Sequence, residues 1–144
     1  MRISAKGEYA LKALHYLTLN YGKGFIQSKD IAERQRIPLK FLEGILLKLK
    51  KAGYLTSKRG AGGGYFLAKP PASINVAEIM RSMEIPLTPI DCVDDDAPAF
   101  CSQGRENCDF YELWQDVKNS IEEILENTSF EDLVNRKHQS GRVA

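Results

Sequence analysis

Three cysteines, Cys92, Cys101 and Cys108, are separated by eight and six residues. A thiolate is both a nucleophile and a soft metal ligand, so their spacing decides what they can do. A structural zinc site normally uses Cys-x₂₋₄-Cys pairs with a fourth Cys or His. No such pair is present, and the two histidines, His15 and His138, lie far away in sequence. Asp91, Asp94, Ser102, Gly104 and Asp109 are the neighbours, which do not describe the apolar surroundings of a buried structural thiol. Three thiols in an irregular loop can close around a metal or an iron–sulfur cluster, with a fourth ligand supplied from elsewhere. A cysteine nucleophile would need an adjacent base, and neither histidine has a context that supplies one. The run Asp94-Asp95-Asp96 is better suited to solvating the loop than to acid–base work. We expect no enzymatic activity.

The second constellation is basic. Residues 1–70 hold 14 Lys/Arg against 4 Asp/Glu, a net of +10, whereas residues 71–144 hold 6 against 15, a net of −9. The overall charge of +1 conceals this asymmetry, which points to a nucleic-acid-binding half joined to a part with another task. A metal-binding adaptor without affinity for DNA would leave the basic half unexplained. Within that half, Lys40, Gly44, Leu47, Lys48 and Lys51 share one face of a helical pattern, with Glu43 at its border. A mid-helix glycine costs about 1 kcal/mol relative to alanine, so Gly44 makes most sense where something approaches closely. Gly60-Ala61-Gly62-Gly63-Gly64 lacks the third glycine of a dinucleotide fingerprint and is followed by no Gly-Lys-Ser/Thr. Preceded by Lys58-Arg59, it reads as a hairpin tip that can place a guanidinium in a DNA minor groove.

These groups need elements to hold them. Residues 4–20 carry Ala10, Ala13, Leu14 and Leu17 at helical spacing, and Tyr21-Gly22-Lys23-Gly24 breaks the pattern. Ser28 is the expected N-cap of a short helix through Gln35, with Asp30 and Glu33 near its positive end. Gln35-Arg36-Ile37 has the length of a helix-turn-helix connection, without the usual glycine. Pro38 opens a third helix, 38–52, whose core stripe is Phe41, Leu42, Ile45, Leu46 and Leu49, with Gly53 ending it. Strands are expected at 54–59 and 65–68, and Asn75 caps a helix carrying Val76, Ile79, Met80 and Met83. No periodicity survives from 84 to 108. A strong helix at 110–127 aligns Leu113, Trp114, Val117, Ile121, Ile124 and Leu125, and Ser129 caps a last helix at 130–137. So much apolar face on a small domain calls for a two-fold partner.

The bounds agree. With 144 residues, 27% charged and 43% hydrophobic, the chain makes one domain with a core. It has no membrane-spanning run and no apolar leader, and three thiols that cannot all pair fit a reducing cytoplasm. The fold class is mainly α with a small β-hairpin: a winged helix-turn-helix plus a long dimerisation helix. We divide the chain into residues 1–71, the DNA-binding region; 72–109, a connecting helix and cysteine loop; 110–137, the dimerisation helices; and 138–144, a tail.

The opening Met1-Arg2-Ile3-Ser4-Ala5-Lys6-Gly7-Glu8-Tyr9-Ala10, the segments Ile31-Ala32-Glu33-Arg34-Gln35 and Leu39-Lys40-Phe41-Leu42-Glu43, the wing Arg59-Gly60-Ala61-Gly62-Gly63-Gly64-Tyr65, and Leu113-Trp114 after the last cysteine resemble the IscR/NsrR/RirA-type winged-helix iron–sulfur transcription regulators. The resemblance covers residues 1 to about 137. It implies a homodimer on a double-stranded DNA operator, with Ser28, Lys29, Lys40, Phe41, Glu43, Lys48, Lys51, Arg59 and Gly60 at the interface. It also implies a 2Fe–2S or 4Fe–4S cluster at Cys92, Cys101 and Cys108 whose presence or oxidation state sets DNA affinity. The cysteine spacings are longer than the family's commoner ones, and Tyr111 stands where IscR-type members carry a histidine. Other members complete the cluster with an acidic residue of the partner's first helix, and Glu8 stands at that position. A family member without a cluster, controlled by a protein partner or by thiol oxidation, is the alternative.

Overall fold

Ser4 starts the first helix: its side chain accepts a hydrogen bond from the Gly7 N–H at 3.2 Å, and α1 (Ala5–Leu19) follows. Gly7, Ala10, Ala13, Leu14 and Leu17 are buried along α1, so the small residues let other elements approach its axis. A Cβ on Gly7 would collide with the Ile85 side chain. The computed structural model describes residues 2–95 and 104–140, without the side chains of 137–140; Cys101 lies outside the described residues.

Then come α2 (Ser28–Gln35) and α3 (Leu39–Lys51). Ser28 is the first helical residue and not the N-cap: Gln27 stands at the cap, with no side-chain hydrogen bond to the helix. The turn between the helices has Arg36 in the left-handed region, φ +54, where a glycine is more usual, and buried Ile37 anchors it. On α3 the buried stripe is Leu42, Ile45, Leu46 and Leu49, all at most 2% exposed. Phe41 does not belong to it. That ring is 65% exposed, because it sits roughly a quarter-turn from the stripe's centre. Gly53, φ +89, ends the helix in a left-handed turn.

Strands β1 (Leu55–Lys58) and β2 (Gly64–Leu67) pair antiparallel, Leu55 opposite Leu67 and Lys58 opposite Gly64. Tyr65 and Ile26 exchange backbone hydrogen bonds at 2.9 and 2.8 Å, which anchors the hairpin to the chain entering α2. Gly64 is required there: its φ is +141, and a Cβ would run into the Ile26 carbonyl. Phe25 and Phe66 pack edge-to-face beside it, with ring centroids 4.9 Å apart.

After a 3₁₀ turn (Pro71–Ser73), Asn75 and Glu78 form a reciprocal capping box on α4 (Val76–Ser82). Further 3₁₀ turns, Asp91–Val93 and Arg105–Asn107, flank the segment carrying Cys101. The long helix α5 (Tyr111–Glu126) carries a divided stripe. Ile121 and Leu125 pack on the core, whereas Leu113 is 50% and Ile124 62% exposed. Ser129 and Asp132 exchange side-chain-to-backbone hydrogen bonds at the start of α6 (Phe130–Ser140), which extends beyond Lys137 and returns to α1 with Phe130 fully buried. The fold is therefore mainly helical with one hairpin, as the sequence pattern predicts.

Candidate nucleic-acid interface and cysteine segment

Three elements converge on a cavity of about 400 Å³: Ser28 and Lys29 from the start of α2, Leu47 and Lys50 from α3, and Lys58, Arg59 and Gly60 from the hairpin. The start of α2 has no side-chain cap, so the positive end of its dipole is available to an anion. Four cationic side chains and a helix N-terminus around one groove suit a polyanion.

Of the residues expected at this interface, Ser28, Lys29, Arg59 and Gly60 line the groove. Lys40, Phe41, Glu43 and Lys51 are exposed on α3 outside it. Lys48 is engaged elsewhere: its Nζ lies 3.0 Å from Glu84 Oε2. That hydrogen bond, and then the charges of Lys48 and Lys6, hold the Glu84 carboxyl below its ordinary value. Lys50 was missing from the expected set. Its spacing could have revealed it, since Glu43, Leu47 and Lys50 recur at i, i+4 and i+7 and so share one edge of the helix.

The Tyr16 hydroxyl on α1 donates to Asp30 on α2 at 3.0 Å. Burial, and then this bond, push the phenol above its usual value. Tyr16 thus remains a neutral donor tying α1 to α2.

Cys92 and Cys108 are half-buried free thiols, one within the Asp91–Val93 turn and one directly after Arg105–Asn107. Lys118, buried on α5, donates to Asp95 at 2.8 Å and holds the edge of the segment between them. That bond, chiefly, raises the Lys118 ammonium and lowers the Asp95 carboxyl. Glu8 is on α1, 3.1 Å from Lys12. Among the described residues, no three His, Cys, Asp or Glu side chains are gathered as metal ligands. Glu8 therefore does not join Cys92 and Cys108 within one described chain.

Residues 3–136 match the model of the Rrf2 family, described as iron-dependent transcriptional regulators. The chain belongs to the Rrf2 family. Its relatives include the HTH-type transcriptional regulators IscR of Photorhabdus laumondii, 37% identical over 95% of this chain and 81% of that one, and CymR of Bacillus subtilis, 35% identical over 92% and 89%. Among solved structures, CymR, the global cysteine regulator of B. subtilis, superposes with a TM-score of 0.78 at 32% identity, covering 94% of this chain and 98% of that one. IscR of T. potens gives 0.76 at 31% identity, covering 97% and 90%. These Rrf2 likenesses bear out the expected winged-helix class and transcription-regulator family. Among the described residues, no helix of this Rrf2 chain is long and apolar enough to cross a membrane.

Proposed function

We propose that this protein is a cytoplasmic, homodimeric, DNA-binding regulator whose operator affinity is set by an iron–sulfur cluster. Residues 1–71 form the DNA-binding region, 72–109 the connecting helix and cluster loop, and 110–137 the dimerisation helices. The observation that carries the DNA reading is the groove where Lys29, Lys50, Lys58 and Arg59 converge. Lys40, Phe41, Glu43, Lys48 and Lys51 extend the contact along α3. Arg59 enters the minor groove, and Glu43 accepts from a cytosine amino group in the major groove. The uncovered apolar face of α5, with Leu113 and Ile124 exposed, supplies the two-fold contact.

Two half-buried thiols on turns that flank the segment bearing the third are a donor set that fits iron. Cys92, Cys101 and Cys108 would hold the cluster, 2Fe–2S in preference to 4Fe–4S, and Glu8 of the partner subunit would provide the fourth ligand. When bound, the cluster supplies a redox-active, oxidant-sensitive centre for sensing iron–sulfur status, iron, nitric oxide or redox state. A carboxylate oxygen is a harder and weaker partner for iron than thiolate, so Glu8 makes one vertex labile. A ligand carried on the other subunit's α1 would tie the cysteine segment to the partner's DNA-binding half.

An anaerobic absorption spectrum of the purified protein, with iron and acid-labile sulfide analysis, tests the cluster. Visible charge-transfer bands are expected. Similarity to CymR favours a second reading, control by thiol oxidation or a protein partner without a cluster, and a colourless, iron-free protein would select it. Salt titration tests DNA binding. If each subunit neutralises about three to five phosphates, log affinity falls with log salt at a slope of roughly −5 to −9.

A further inference from the structure

Two helices of this chain end in the same hydrogen-bonded turn, with different residues at its left-handed position. After α3, the Gly53 N–H donates to the Lys50 carbonyl and the Tyr54 N–H to that of Leu49, both at 3.0 Å. After α4, the Glu84 N–H donates to the Arg81 carbonyl and the Ile85 N–H to that of Met80, both at 2.9 Å. Gly53 has φ +89 and Glu84 φ +59. An L side chain is disfavoured in that region, and glycine is its usual occupant at a helix end. Glycine at position 84 would make the turn with less strain, so the backbone gives no reason for a glutamate. The side chain does: Glu84 Oε2 is 3.0 Å from Nζ of Lys48 on α3. The Lys48 side chain is only 34% exposed in this pair, whereas Glu84 is 81% exposed.

We propose that Glu84 is an intramolecular competitor for DNA, its carboxylate holding Lys48 in the place of a backbone phosphate. The proposal rests on the DNA-binding reading above. Lys48 lies beside the outward face of α3, and its flexible stem can carry the ammonium to a phosphate once the carboxylate lets go. The exposed carboxylate is a weak restraint that DNA can displace. Glu84 also begins the stretch leading to Cys92, and its neighbour Ile85 packs directly on Gly7 of α1. Displacement of that stretch therefore moves the carboxylate relative to Lys48 and changes how many cations α3 can offer.

The test is anisotropy titration of a labelled mixed-sequence duplex of about three helical turns, at several salt concentrations. Glu84→Gln should bind roughly two- to five-fold more tightly than wild type, with the log–log salt slope steeper by about one per subunit. Glu84→Gly, which also relieves the left-handed strain, should show the same gain and serves if the glutamine variant folds poorly. Neither gain should survive in a Lys48→Ala background. The proposal is overturned if both Glu84 variants bind as wild type does, or if they tighten binding equally without Lys48. Wild-type protein that does not bind the duplex at all overturns the DNA-binding reading itself, and the proposal with it.

Discussion

The wing groove and the cysteine segment are built in opposite ways. The groove is assembled within one chain by local devices: an uncapped helix start at Gln27, a left-handed glycine after α3, and a hairpin bridged to Ile26 through Gly64. Each device fixes backbone direction independently of any ligand. Among the described residues, the cysteine segment has two short 3₁₀ turns and the Lys118–Asp95 ion pair, and its proposed fourth ligand would come from α1 of another subunit. The groove thus needs only one chain's backbone, whereas the proposed sensing site would be completed only on assembly.

Several substitutions would break or sharpen that contrast. The largest effect is expected in the cysteine segment, where Cys92→Ala or Cys108→Ala should abolish the visible bands, as should Cys101→Ala. Glu8→Ala should instead alter the resonance Raman spectrum or shorten cluster lifetime. A native, equally durable spectrum in Glu8→Ala would remove Glu8 from the site.

In the DNA-binding half, neighbouring residues on α3 should separate stability from binding. Leu42→Ala should cost about 2–5 kcal/mol in denaturant unfolding, the range for a fully buried leucine. Phe41→Ala should leave stability within about 0.5 kcal/mol while weakening DNA binding. Similar destabilisation by both would return Phe41 to the core.

Smaller again, Arg59→Ala should weaken operator binding and relax any preference for narrow, A·T-rich minor grooves, as read by anisotropy on paired operator variants. Glu43→Ala should alter discrimination among operators at a cytosine position by about 1–3 kcal/mol or less. The smallest effect should be at the last helix, where Ser129→Ala should cost about 0.5–2 kcal/mol by removing the hydroxyl that accepts from Asp132 N–H. The Asp132 carboxyl is held below its ordinary 3.8, first by its backbone hydrogen bond to Ser129. Its contribution is thus complete above that value and lost as pH falls through the depressed one. Asp132→Asn should destabilise at neutral pH and converge with wild type in acid.

The legible parts of the sequence were those with short-range causes. Asn75 caps its helix as its side chain predicts, and the glycines around the hairpin mark its tip and base. The misreadings arise where tertiary context decides. Ser28 has cap chemistry, yet the helix starts one residue earlier, after Gln27. Phe41 fits an apolar stripe by type, but the stripe is already filled by Leu42 and its partners. Lys48 shares a periodic face with Lys40 and Lys51, yet its partner is 36 residues away, in a turn where a glycine would be expected. The cysteine segment lacks periodicity, and a ligand proposed from a second chain would leave no spacing to read.

DNA affinity measured anaerobically on one operator, with cluster-loaded and cluster-stripped protein at the same salt, tests the central claim most directly. The account predicts at least a five-fold difference between the two forms, within the usual range of coupling between distinct sites. It also predicts that Cys108→Ala, taken through the same loading, binds as the stripped wild type does. Equal affinity of the loaded and stripped wild-type protein would contradict it.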